Sequence, residues 1–240
     1  MQRIDIITPV KDAIELTLAT ARSVAASAAR LSLPYTYTIY NDFSTEANTR
    51  RLAAEAEHIG YRLVNLCDVT DHPSPNYLLV LQRARHEALC GDAALIIVES
   101  DVTVRPDTLP KLVDALQRCV RVGILAAVTT DASGVANYPY KYAREVQGQM
   151  IATQRHCSFC CSLLSPALLR ACDFDRLSAT KNWYDVTISH AALRAGLMNF
   201  LCADLPVLHR PHGSRPWKQL KYANPLKYYW RKITKGLDKV

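Results

Sequence analysis

The sequence predicts an α/β fold, with a mixed but mainly parallel sheet flanked by helices. Three observations support this. Short apolar strands alternate with helical periodicities over the first 128 residues, and the run at 94–98 is continuously apolar, as buried strands are. Polar residues (Thr8, Asn41, Asp42, Glu99, Asp101) gather at the ends of those strands, where open α/β sheets bind ligands. Hydrophobic content of 49% and charged content of 21% suit a globular chain of 240 residues and exclude wholesale disorder.

The elements follow in order. Ile4–Val10 is an apolar strand, and residues 12–31 place Ile14, Leu18, Ala21, Ala25, Ala28 and Leu31 at helical spacing. Tyr35–Tyr40 returns as strand. Asn41–Thr45 is a turn rich in capping residues, opening a helix to about His58. Arg62–Leu66 is a third strand, Pro73-Ser74-Pro75 a loop, and 76–90 a helix. Ala94–Val98 is the fourth strand, Pro106–Val120 a helix, and Gly123–Val128 the fifth strand. Residues 129–155 carry turn formers and few apolar positions, which predicts a long substrate loop. A strand near Ser158–Leu164 and a short helix after Pro166 come next. Then follow a helix from Asp185 to Ala195 closed by Gly196, and a short strand Leu205–Leu208 that delivers His209 to its end. No repeat or composition break forces a second domain.

No apolar stretch reaches the roughly 20 residues that cross a bilayer, and MQRIDIITPV starts as a strand rather than a signal peptide. The expectation is a cytoplasmic protein. Eight scattered cysteines fit that setting better than a disulfide framework. In the cluster HCSFCC at 156–161, Cys157 and Cys160 have C-x-x-C spacing but no second ligand pair. They read as small apolar residues in a strand rather than a zinc site. The net charge of +7 sits at the C-terminal end, in Arg210, Arg215, Lys218, Lys221, Lys227, Arg231, Lys232, Lys235 and Lys239. Tyr222, Tyr228, Tyr229 and Trp230 are interleaved with these charges, so the tail 218–240 suits an anionic membrane surface. Nucleic acid would need a wider basic footprint than the neutral body offers.

Glu99 and Asp101 raise the question of a metal. Two carboxylates one residue apart share a side of an extended segment and can hold Mg²⁺ or Mn²⁺. Around them stand IITPVKD, IYNDFSTE, ESDVTVRPDTLPKLVDAL, DFDRLSATKNWYDVTISHAALRAG and LPVLHRPHGS. In this order the five stretches resemble family 2 glycosyltransferases of the GT-A fold, over most of residues 4–215. The resemblance implies one GT-A, Rossmann-like domain over 1–217, with a nucleotide-sugar half (1–128) and an acceptor half (129–217). It implies an inverting transfer from a UDP- or dTDP-sugar to a hydroxyl of a glycan or lipid-linked acceptor, in cell-surface polysaccharide synthesis at the inner face of the membrane.

Residue by residue, the resemblance places Asp185 as the catalytic base, though an Asp there also suits a helix N-cap. It places Thr8, Pro9, Asp42, Ser44, Asn76, Ser100 and Arg215 at the nucleotide. Asp101 and His209 fall at the metal, with Glu99 reaching it directly or through water. His212, Ser214 and Lys218 accompany Arg215 as candidates for the diphosphate. Trp183, Tyr184 and Tyr140 fall at the acceptor, with Tyr138 and Tyr142 as further stacking candidates. The chain also departs from the pattern. Glu99 replaces the first Asp of D-x-D, Tyr184 the Glu of a Glu-Asp pair, Asn41 an Asp, and Phe43 a small turn residue. These departures leave open a degenerate, non-catalytic sugar-nucleotide or membrane-binding module. A sugar-phosphate nucleotidyltransferase would need a Gly-rich loop after its first strand, and TPVKDAIEL contains no glycine.

Overall fold

The computed structural model describes residues 1–140, 143–144, 150–179, 183–211 and 224–234, apart from the side chains of 231–233. Its first half follows the sequence periodicity closely: β1 (Arg3–Val10), α1 (Ile14–Ala28), β2 (Tyr35–Asn41), α2 (Glu46–Ile59), β3 (Arg62–Asn65), α3 (Tyr77–Cys90) and β4 (Ala93–Val98). Then come β5 (Val102–Thr103), α4 (Thr108–Arg118), β6 (Val122–Thr130), β7 (Met150–Thr153), β8 (Cys161–Leu164), α5 (Pro166–Ala171), α6 (Tyr184–Arg194), β9 (Met198–His209) and α7 (Pro225–Thr234). Local chemistry sets the boundaries. Thr45 caps α2 by accepting the Asn48 N–H, and Gly60 ends it at φ +88°, a left-handed conformation that costs glycine little.

The strands form one sheet in the order β3-β2-β1-β4-β8-β6-β9-β5, with β7 on β9. β3, β2, β1 and β4 pair in parallel, which brings their carboxyl ends to one rim. β8 runs antiparallel between β4 and β6, and β9 lies parallel to β6. The alternation of side chains divides the core between the two faces. Ile4, Ile6, Ile96 and Val98 pack with Leu18, Val24, Leu109 and Leu112 of α1 and α4. Ile7, Leu95 and Ile97 pack with Leu81, Leu168 and Ile188 of α3, α5 and α6. All six residues of β4 are buried, as a strand covered on both faces requires.

Three sequence expectations change. The stretch 129–155, expected as loop, contributes the end of β6 and all of β7. The strand expected at Leu205–Leu208 is the last third of a twelve-residue β9. Its ladder with β6 jumps from Ala127↔Cys202 to Val128↔Pro206. Residues 203–205 are looped out there, and that bulge breaks the alternation by which a strand is recognised. The strand expected from Ser158 begins only at Cys161, because Ser158 is held in a turn by bonds to Tyr140 and Cys160.

Candidate functional site

The rim of the first half is closed by side chains that bind one another. Asp42, after β2, accepts from Ser74 Oγ (2.7 Å), the Asn76 backbone N–H (2.9 Å) and Asn76 Nδ2 (2.8 Å). Asn41 Nδ2 donates to Thr49 Oγ1 and Asn65 Oδ1. Ser44 Oγ accepts the Asp12 N–H at 2.7 Å, and Asp12 Oδ1 accepts from Thr45 N and Asn48 Nδ2. Lys11 Nζ donates to the Phe43 carbonyl at 2.7 Å. The clasp requires left-handed backbone at Asp12 (φ 53°), Ala13 (φ 49°) and Phe43 (φ 56°). Thr8 is fully buried with its hydroxyl 3.1 Å from Tyr37 Oη, and Pro9 is half-buried beside it.

The second half brings different groups together. After β4 the chain does not stay extended: the Val102 N–H bonds the Glu99 carbonyl at 3.1 Å, so 99–102 is a turn containing the buried Ser100. Glu99 and Asp101 therefore do not share one side of a strand, as their spacing suggested. The Glu99 N–H bonds the Cys160 carbonyl at 2.9 Å, extending the β4–β8 ladder by one step. This places Cys160 Sγ 3.4 Å from Glu99 Oε2. From the far strand, β9 ends at His209 opposite Val102, and the Arg210 N–H bonds the Asp101 carbonyl at 2.9 Å. One donor atom each from Glu99, Cys160 and His209 lies within 4.8 Å of the others, and Asp101 Oδ2 is 3.6 Å from His209 Nε2.

The orientation of His209 tests whether a cation fits. His209 is buried, and its Nδ1 lies 2.9 Å from the Tyr138 carbonyl oxygen. A carbonyl offers no proton, so Nδ1 carries one and donates it. In a neutral ring this leaves a bare lone pair on Nε2. Nε2 is buried, makes no hydrogen bond among the described residues, and faces the carboxylates. A lone pair aimed at anions is disfavoured without a cation between them, and an imidazole oriented by a carbonyl on its other nitrogen is the usual form of a metal-ligating histidine. These side chains suit a divalent cation.

Asp185 sits in the first turn of α6, where the helix dipole favours an acid. The N-cap position belongs to Trp183 and makes no side-chain cap bond, while Asp185 Oδ1 accepts the Val186 N–H at 2.9 Å within the first turn. Its backbone carbonyl accepts from Ser189 Oγ at 2.6 Å. Ser189 Oγ in turn accepts the Cys157 N–H at 2.9 Å, tying α6 to the turn that carries Cys160. Burial lifts the Asp185 carboxyl above its ordinary value; His156 opposes that shift and Glu99 adds to it. The Tyr138 hydroxyl is pushed up to about 12, by burial first and then by Asp185, Cys160 and Glu99. The residue as a whole is nevertheless 55% exposed.

Other expected site residues have packing positions. Tyr184 is buried and lies 6.1 Å from the Tyr77 ring. Tyr140 is 1% exposed, and its hydroxyl accepts the Ser158 N–H at 2.7 Å. Neither ring is open to a sugar, whereas Trp183 is half-buried. Tyr142, His212, Ser214, Arg215 and Lys218 lie outside the described residues. Sequence reasoning missed Cys160 and His156. HCSFCC drew notice, but the acid and imidazole that Cys160 meets, Glu99 and His209, come from distant segments rather than from the cluster.

No protein-family model matches the sequence, and no curated protein does either. Solved structures match it in fold. S. aureus TarS 1–349 in complex with UDP gives a TM-score of 0.62 at 12% identity, covering 92% of this chain and 64% of that one. The mannosyltransferase PcManGT from Pyrobaculum calidifontis, in complex with GDP-Man and Mn²⁺, gives 0.60 at 15% identity, covering 97% and 64%. Glucosyl-3-phosphoglycerate synthase from Mycobacterium tuberculosis, in complex with phosphoglyceric acid, gives 0.51 at 17% identity, covering 91% and 75%. The chain thus spans less than two thirds of the first two proteins. Identities this low establish the fold, which is that of the GT-A glycosyltransferases.

Proposed function

We propose that the chain is a metal-dependent, inverting glycosyltransferase that moves a sugar from a UDP- or dTDP-sugar to a hydroxyl of a glycan or lipid-linked acceptor in cell-surface polysaccharide synthesis. The observation behind this reading is that the Glu99 and His209 donors lie within 4.8 Å of each other beyond β4, with Asp101 Oδ2 3.6 Å from His209 Nε2 and the buried Asp185 in electrostatic reach of Glu99. Mn²⁺ or Mg²⁺ would be held by Asp101, His209 and Glu99, and when bound would neutralise the diphosphate leaving group. The fold matches solved glycosyltransferases, one of them in complex with GDP-Man and Mn²⁺.

Asp185 is the general base. Desolvation makes its carboxylate a stronger proton acceptor than an exposed one. It takes the proton from the acceptor hydroxyl, whose oxygen attacks the anomeric carbon opposite the nucleotide and inverts its configuration. Positioned base catalysis of this kind contributes about 10²–10⁴-fold in rate. Asp42 receives the imide N–H of the pyrimidine: a carboxylate offers about four acceptor sites, and Ser74 and Asn76 occupy three. Pro9, Ser44, Asn76 and Ser100 form the bed of the nucleotide and Arg215 contacts the diphosphate, whereas Thr8, fully buried against Tyr37, supports that bed from below.

Trp183, just before α6, and the exposed Tyr138 stack on the acceptor sugar. The donor is thus assigned to residues 1–128 and the acceptor to 129–217 of one domain. In α7, Leu226, Tyr229 and Trp230 are exposed beside Lys227. With the basic tail 218–240 they hold the enzyme at the anionic inner face of the membrane. No helix among the described residues is long and apolar enough to cross one.

The test is transfer and hydrolysis with a panel of UDP-, dTDP- and GDP-sugars in Mn²⁺, with the anomer of the product read by NMR. An inverted product that disappears in Asp185→Asn is the expected result. Absence of both turnover and nucleotide binding across the panel would overturn the reading.

A further inference from the structure

The side chains around His209 include one atom that a carboxylate-only Mg²⁺ site lacks, the sulfur of Cys160. Cys157 and Cys161, its neighbours in HCSFCC, are buried in the apolar core, where sulfur acts as a small hydrophobe. Cys160 belongs to that core as well, but its Sγ also meets polar groups, 3.2 Å from Ser158 Oγ and 3.4 Å from Glu99 Oε2. The backbone fixes this position: Val98 pairs with Cys161, and the Glu99 N–H bonds the Cys160 carbonyl.

We propose that Cys160 is a ligand of the cation at Glu99 and His209, so that the site takes a thiolate-accepting dication such as Zn²⁺ in preference to Mg²⁺. Donors around a tetrahedral Zn²⁺ stand roughly 3.5 Å apart. The Glu99, Cys160 and His209 donors lie within 4.8 Å of one another, so a closure of about 1 Å assembles them around the ion. Asp101 Oδ2, 3.6 Å from His209 Nε2, stands beside this group of three rather than within it. Ser158 Oγ, within hydrogen-bond distance of the sulfur, stabilises it as thiolate. On binding, the Cys160 S–H bond breaks, its proton passes to the buffer, and a sulfur–metal bond forms. Mixed N, O and S donors favour Zn²⁺ and Co²⁺ over Mg²⁺, which prefers oxygen alone.

The inference rests on reading this cluster as a metal site, and its test needs no nucleotide or sugar. The reference protein is the full chain carrying Cys67→Ser and Cys90→Ser, because those two thiols are exposed. Co²⁺ should produce a sulfur-to-metal charge-transfer band in the near ultraviolet, and Cys160→Ser should abolish it. In competition with a chromophoric chelator, Cys160→Ser should weaken Zn²⁺ by about tenfold or more and leave Mn²⁺ within about twofold. A folded reference chain without that band overturns the proposal whether or not the variant folds. A band that survives in Cys160→Ser, or an unchanged Zn²⁺ affinity, also overturns it. Sugar transfer without the band would sink this inference and spare the proposed function; the band without transfer would do the reverse.

Discussion

The two ends of the sheet carry acids at the same rim and use them differently. In the parallel half, Asp42 accepts three hydrogen bonds from Ser74 and Asn76, and Asp12 accepts one from Thr45 and one from Asn48 of α2. These carboxylates fasten one connection to the next. In the mixed half, Glu99 and Asp101 approach a buried thiol and a buried imidazole, and burial penalises Asp185 for being charged. Polar residues at strand ends are thus a poor guide to chemistry by themselves. What sets the mixed half apart is the company its acids keep, a buried imidazole beside Asp101 and a buried thiol beside Glu99.

Substitutions should separate the two halves, and Asp185→Asn is the strongest probe. It should lower kcat by about 10²–10⁴-fold while the protein stays folded; a loss below tenfold would move the base elsewhere. Next is the imidazole: His209→Gln should weaken Mn²⁺ by about 10–100-fold, seen in a titration followed by EPR. Asp42→Ala tests the fastening in the parallel half. It should cost about 2–3 kcal/mol of stability in urea unfolding, since it leaves donors unpaired around a lost charge. An unchanged unfolding midpoint would dissolve the contrast between the halves.

The pH dependence sharpens the same contrast. The Asp185 carboxyl is raised in the folded protein above its ordinary 3.8. Between 3.8 and that raised value the folded state holds more protons, so stability falls as pH climbs through the window. Asp185→Asn should therefore be more stable than the parent at neutral pH and indistinguishable below pH 3.8, as denaturant melts at both pH values will show. For the parent, kcat should drop on the acid side above the ordinary carboxylate range, where Asp185 becomes protonated. The smallest effect concerns α7. Leu226→Ala with Trp230→Ala should reduce binding to anionic liposomes a few-fold, roughly 1 kcal/mol, at low salt.

The sequence by itself determined the elements of the first half and the placement of candidate side chains at strand ends. Ile4–Val10, Ile14–Ala28 and Ala94–Val98 announce themselves by periodicities of two, of 3.6, or by continuous apolarity, all local properties of the chain. Asp101, Asp185 and His209 stand out as candidates because each sits where a strand or helix begins or ends.

Only the tertiary structure decided what surrounds them. The bulge at 203–205 hid most of β9, and β7 exists only by pairing with it. The turn at 99–102 parted Glu99 from Asp101. The β4–β8 register, set by packing between segments some sixty residues apart, brought Cys160 to Glu99. Tyr140 and Tyr184 look like sugar-stacking rings in the sequence and are core in the fold. Register and burial are long-range outcomes of how the two faces pack, and no local pattern in this chain encodes them.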